Sequence, residues 1–225
     1  MKDKKQIEIK SGWKPAIIIF FIVFLILFIY AIVRYNVFRG VSVSNIPLYI
    51  SNKALAVASV VLIGLSFLLG PLAKFWPRTF AQKLYLRKYL GLFGFGIAAV
   101  HGIISLLIFN PSYYSRFFIE GKLTLAGELS MLFGILALFI FSIVAISSLP
   151  SLENTMDKKK WLFIQRLGYL AFFLVMLHVV SMGYKGWLTP SEWPGKLLPM
   201  SLITFIIIAL VLLFRILSIF VKKGK

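Results

Sequence analysis

The chain contains no cysteine. Disulfide frameworks, thiolate nucleophiles, iron–sulfur clusters and dithiol redox relays are excluded on that ground alone. Acids are also scarce, with 7 Asp and Glu against 25 Lys and Arg in 225 residues. Glu128 is the only acid inside an apolar stretch, near one end of it, where it reads as interfacial. Histidine occurs only twice, and two histidines without a carboxylate cluster make a poor zinc or di-iron site. There is no Gly-rich phosphate loop, because Gly91, Gly94 and Gly96 fall within an apolar run. No internal repeat is visible, and no polar segment is long enough to fold alone. A fused nucleotide- or flavin-binding domain is therefore not expected.

Long hydrophobic runs are what the chain has in abundance. Hydrophobic residues make up 60% of it and charged residues 14%, and the mean hydropathy is +0.93. A soluble domain sits nearer half apolar and a quarter charged. Six apolar stretches, at about 15–33, 54–72, 89–109, 125–149, 162–182 and 197–221, are each long enough to cross a hydrocarbon core of about 30 Å. Backbone polar groups in lipid need partners within their own segment, so each run is expected to be helical. The expected architecture is an all-α, integral membrane bundle of six helices (15–221), with a basic N-terminal segment (1–14) and a short C-terminal tail (222–225). The first run is too long for a signal-peptide core and reads as a retained span.

The net charge of +18 raises the question of a nucleic-acid partner. The basic residues cluster between apolar runs, and no nucleic-acid motif accompanies them, so no nucleic acid is expected. They set orientation instead. With both termini, the second-to-third loop and the fourth-to-fifth loop on one side, that side holds 18 of the 25 Lys and Arg. The positive-inside rule makes it cytoplasmic, in a multi-pass protein of the inner cell membrane.

His101 falls in the third run and His178 in the fifth. Ionisable groups within a membrane are costly and usually functional, although a lone histidine can simply hydrogen-bond a neighbouring helix. The third and fifth runs point the same way. His101 lies 12 residues after Tyr89 and His178 lies 16 after Leu162, a depth mismatch of only about 6 Å. Both then sit in the outer half of the membrane, where they can grip one iron from opposite sides. Gly94, Ala98, His101 and Ser105 form one helical stripe of small residues. Such a stripe gives clearance for a flat macrocycle, or close helix packing. Ser105 and Ser181 are candidate acceptors for the second imidazole nitrogens.

Two segments resemble a known family. Arg87-Lys88-Tyr89-Leu90-Gly91-Leu92 followed by His101, and Trp161 with Gln165-Arg166-Leu167 and Tyr169 followed by His178, resemble the third and fifth helices of the ferric reductase-like transmembrane domain. Within that family the likeness is nearest to haem-binding membrane subunits serving a periplasmic methionine sulfoxide reductase. The resemblance implies one haem b per chain on His101 and His178, with Arg116, Lys122 and Lys185 as candidates to pair with its propionates. It also implies electron transfer from a cytoplasmic reductase, flavin or quinone pool to an extracytoplasmic redox partner protein or ferric iron. The family usually carries a further histidine where this chain has Gln165, about 20 Å along the helix from His178. An inner haem is therefore expected to be missing or replaced. FMN or FAD beside Arg87, Lys88, Gln165 and Arg166 is the candidate replacement, although inside-positive charge explains each basic residue better when it is taken singly. The competing class is a proton-coupled transporter using a mid-membrane histidine. Against it, the spans lack paired acids and matched Gly/Pro interruptions in two halves.

Overall fold

The computed structural model describes residues 11–221; residues 1–10 and 222–225, which hold most of the expected basic N-terminal segment and the whole of the expected tail, lie outside them. Within it the chain forms an all-α membrane bundle. Six helical segments are long and apolar enough to cross a bilayer, as the hydropathy requires: Trp13–Val37, Val43–Phe75, Leu86–Ile108, Leu125–Ser147, Lys158–Trp187 and Pro194–Phe220. Their α-helical parts are α1 (Trp13–Ile32), α2 (Ser51–Phe75), α3 (Leu86–Ile108), α4 (Leu125–Ser147), α5 (Lys158–Trp187) and α6 (Met200–Phe220).

Local chemistry marks the helix ends. The Thr124 side chain accepts from the Gly127 amide at the start of α4, and Asp157 accepts from the amides of Lys159 and Lys160 at the start of α5. These caps satisfy donors that the first helical turn leaves open. Pro111, Pro150 and Pro190 each open a short helical turn, where a missing N–H costs nothing. After α3, a small antiparallel hairpin pairs β1 (Phe118–Ile119) with β2 (Lys122–Leu123). Glu120 (φ 51°) and Gly121 (φ 76°) turn it with the two positive φ values that a tight two-residue hairpin requires.

The second span differs most from the sequence expectation. Hydropathy places its start at Ala54, whereas the helical segment runs back to Val43 and includes a π-helical turn at Ile46–Ile50. Asn52 and Lys53 therefore belong to the helix rather than to a loop, and Asn52 is buried. The span is also the most enclosed: 61% of its apolar window is buried, against 11% for α3, which identifies α2 as the central helix. Val60, Ile63 and Phe67 of α2 meet Phe141 of α4, Ala171 and Phe172 of α5, and Ile208 and Val211 of α6 in the main core. The outward faces of the other helices are apolar, as lipid contact demands.

Part of the small-residue stripe on α3 serves this packing. A Cβ on Gly94 would lie 2.8 Å from Ile63 Cγ1, 3.0 Å from Leu62 Cβ and 3.1 Å from the Ile63 amide nitrogen. Gly94 thus lets α3 lie directly against α2, the close packing that small residues provide between membrane helices. Gly94→Ala is expected to lower stability by about 1–3 kcal/mol, as overpacking does. Thermal unfolding of the purified protein in detergent checks this, and an unchanged midpoint would contradict it.

Candidate functional site

α3 and α5 run in the same direction and carry His101 and His178 in their second halves, toward the end of the bundle opposite Trp13 (here the distal end). Both rings line one cavity of about 300 Å³, bounded also by α2, α4 and α6. Val60, Ile63, Ala98, Leu138, Phe141 and Phe172 are among its apolar walls. Of the stripe on α3, Ala98, His101 and Ser105 face this space, whereas Gly94 does not line it.

Both imidazoles are held from behind through the same ring nitrogen, Nδ1. His101 Nδ1 lies 2.9 Å from Asn52 Oδ1. The Asn52 amide nitrogen donates to Ser105 Oγ at 2.9 Å, and its oxygen faces the histidine. His178 Nδ1 lies 2.8 Å from the Ser130 carbonyl oxygen and 3.1 Å from Ser130 Oγ. An amide or carbonyl oxygen can only accept, so Nδ1 carries the proton in both rings. Nε2 of each neutral ring is then a lone-pair donor. Among the described residues neither Nε2 has a hydrogen-bond partner. The His178 ring also needs Gly134, whose Cβ would stand 3.0 Å from Nδ1.

The sequence suggested Ser105 and Ser181 as acceptors. Ser105 is near His101, with Oγ 3.4 Å from Nδ1, but its closer role is to accept from Asn52. Ser181 bonds the Leu177 carbonyl of its own helix, and Ser130 on α4 serves His178 instead. Asn52 and Ser130 were the residues missed. Asn52 lay beyond the apparent edge of its span, and nothing in the sequence says which serine of α4 faces α5.

A second cavity, of about 310 Å³, opens at the distal end next to the first. Arg34, Arg39, Lys53 and Arg116 line it, and Glu192 is its one acid. Arg34 is only 6% exposed; its Nε donates to the Leu198 carbonyl at 3.1 Å, while Nη1 is buried without a partner. Burial pushes the Tyr114 phenol well above its usual range, so it stays a neutral hydrogen-bonding group. Lys53, Tyr114 and Arg116 line both cavities. Of the three cations suggested for propionates, only Arg116 is among these lining residues; Lys122 and Lys185 line neither cavity.

The other expected site residues stand at the opposite, proximal end. Gln165 Nε2 donates to Ser147 Oγ at 3.0 Å and Ser148 Oγ at 2.9 Å, tying α5 to the end of α4. Arg87 Nε donates to the Ser66 carbonyl at 3.1 Å, Lys88 pairs with Glu153, and the Arg166 side chain is exposed. None of these four lines either of the two cavities. Between the two ends, Tyr169 stacks on Phe67 (centroids 4.6 Å apart) and Phe67 packs edge-on against Phe172 (5.5 Å), a wall of the histidine cavity.

The site fits an iron porphyrin. Two neutral imidazoles with free Nε2 lone pairs share an apolar cavity, and cations stand at its distal edge where carboxylates would need them. Among the described residues no cluster of three His, Asp or Glu offers a competing metal site.

The sequence profile described as "ferric reductase like transmembrane component" matches residues 55–176, which include His101 and end two residues short of His178. Mouse (Mus musculus) metalloreductase STEAP2 is 30% identical over 171 residues, 63% of this chain and 34% of that protein. Human (Homo sapiens) metalloreductase STEAP2 is 31% identical over 168 residues, 63% of this chain and 34% of that one. Rat (Rattus norvegicus) metalloreductase STEAP3 is 28% identical over 191 residues, 69% of this chain and 39% of that one. The chain thus spans little more than a third of the length of the curated relatives it matches.

The two Nδ1 acceptors differ in kind, and this separates their variants. Asn52→Leu removes the acceptor of His101 and is expected to weaken iron-porphyrin binding about 10–100-fold, the usual effect of losing a ligand's supporting hydrogen bond. Ser130→Ala keeps the carbonyl that serves His178 and should change affinity far less. Titration of apoprotein with haem, followed by absorbance, measures both.

Proposed function

Starting from its membership of the ferric reductase-like transmembrane family, we propose that this chain holds one haem b between His101 and His178 and passes electrons across the membrane to an acceptor at its distal end. The paired Nδ1 hydrogen bonds, which leave both Nε2 atoms free in one cavity, carry this reading. When bound, haem supplies a one-electron carrier that alternates between ferric and ferrous iron. The protein's part is to position, insulate and connect.

Asn52 and Ser130 hold the rings in the tautomer that can ligate, and raise their basicity by accepting from Nδ1. Phe141, Phe172 and the aliphatic walls exclude water. Since the chain has only two histidines, bis-imidazole ligation accounts for one haem and no second. Gln165 stands where the family resemblance leads one to expect a further histidine, and its amide is already bonded to α4. The proximal end is cytoplasmic by the positive-inside rule. Electrons arrive there from a reductase, a quinol, or a flavin lodged beside Arg87, Lys88, Gln165 and Arg166. Tyr169, Phe67 and Phe172 supply closely spaced rings across the gap from that end to the cavity.

At the distal end the basin of Arg34, Arg39, Lys53 and Arg116 attracts negative charge. Since the named relatives are metalloreductases, we assign the acceptor as ferric iron delivered in an anionic chelate. Reduction of a periplasmic methionine sulfoxide reductase is the alternative that the test must separate.

Membranes expressing the chain should give a b-type reduced-minus-oxidised spectrum with one haem per chain. His101→Ala and His178→Ala should each abolish it. In proteoliposomes with a reductant inside, ferric citrate outside should reoxidise the haem. Reoxidation by a sulfoxide reductase but not by ferric citrate would move the acceptor to that enzyme. A colourless protein that carries a solute would sink the electron-transfer reading in favour of transport.

A further inference from the structure

Lys53 is an ionisable residue within a membrane helix, a placement usually reserved for function. Its Nζ lies 4.2 Å from the ring centroid of Tyr49, 5.2 Å from that of Tyr35 and 5.4 Å from that of Tyr114. Three aromatic faces favour an ammonium over a neutral amine. Among the described residues, no carboxylate pairs with it and no hydrogen-bond acceptor is within reach of its Nζ; the one ion pair found there is Lys88–Glu153 at the other end of the bundle. The ammonium is thus held by aromatic faces alone, among the like charges of Arg34, Arg39 and Arg116 and with no paired acid to cancel it. It also lines both cavities, one residue along α2 from the Asn52 that orients His101. Arg116 is the other cation that lines both, whereas Arg34 and Arg39 line only the distal basin.

We propose that Lys53 is a caged cation whose field raises the reduction potential of the haem between His101 and His178. This rests on the haem reading given above. Reduction adds one electron to the iron and takes up no proton in this step, so the site loses one unit of positive charge. A fixed positive charge at the cavity edge stabilises the reduced form relative to the oxidised one, and low-dielectric walls keep the effect from being screened. The cage holds the charge at the distal edge, on the side toward which the electron leaves. The cation therefore draws the electron to the outer half of the membrane.

The test is a spectroelectrochemical titration of full-length holoprotein in nanodiscs at fixed pH. Lys53→Met should lower the midpoint potential, equivalent to a reduction constant smaller by roughly tenfold for one partly screened charge. Lys53→Arg, which keeps the charge, should retain most of the wild-type value. Arg39→Met, at a residue that lines the basin but not the histidine cavity, should shift it less than Lys53→Met. Electron paramagnetic resonance of the oxidised protein should keep its low-spin bis-imidazole signal in Lys53→Met, separating a field effect from disturbed ligands. If Lys53→Met fails to assemble, Lys53→Gln takes its place against Lys53→Arg. An unchanged or higher midpoint in the neutral variant, or an equal shift in Arg39→Met, overturns the inference. Protein that binds no haem sinks the proposed function together with this inference. Protein that binds haem with a midpoint indifferent to residue 53 sinks this inference alone.

Discussion

An imidazole has two nitrogens, and whatever accepts a proton from one decides what the other can do. In this bundle that decision is made by Asn52 Oδ1 and the Ser130 carbonyl, neither of which can donate. Everything about the site follows from this pair of contacts. They fix the proton on Nδ1 of each ring, turn each lone pair away from the supporting helix, and need α2 beside α3 and α4 beside α5 to reach the right atoms. The close approach at Gly94 brings α2 against α3, and the absent Cβ of Gly134 lets α4 pass the His178 ring. Small residues at helix interfaces thus have a second use here, since they set the distance at which a polar support can reach a histidine on the next helix.

The gross architecture was legible because lipid leaves the chain few alternatives. Long apolar runs had to become helices, and all six did. The histidines were legible too, as polar side chains in costly places at matching depth. Their supports were not. Hydropathy averages over a window, so the polar Ser51-Asn52-Lys53 triplet read as a loop, although the helix runs through it. A serine in a membrane helix most easily bonds the carbonyl four residues back, as Ser181 does with Leu177. Only packing reveals that Ser130 sits opposite His178. The stripe on α3 was ambiguous in sequence, and the fold divides it: Gly94 packs against α2, while Ala98 and Ser105 face the cavity.

The two ends of the bundle contrast in how their basic residues are used. At the proximal end Arg87 is bonded to a backbone carbonyl and Lys88 to a carboxylate. At the distal end four cations share a pocket with one acid, and Arg34 keeps a buried nitrogen without a partner. Counting charges along the sequence ranks the proximal side as the basic one, which bears on membrane insertion. The distal side holds fewer cations but gathers them around one opening, and that local field is what a small anion meets. Total charge and local field are different quantities, and only the second depends on the fold.

The π-helical turns at Val33–Val37 and Ile46–Ile50 flank the connection between the first two spans. A wide turn absorbs a residue without changing the direction of the helix, but each residue added or removed rotates its neighbours by about 100° around the axis. Arg34 and Tyr35 lie within the first of these turns, and the second directly precedes the helix that carries Asn52 and Lys53. A one-residue deletion in either turn would leave both helices able to reach across the bilayer and would barely alter a hydropathy plot, yet it would swing side chains out of the pocket. Divergence among related chains should therefore be constrained here in angular phase more tightly than in length.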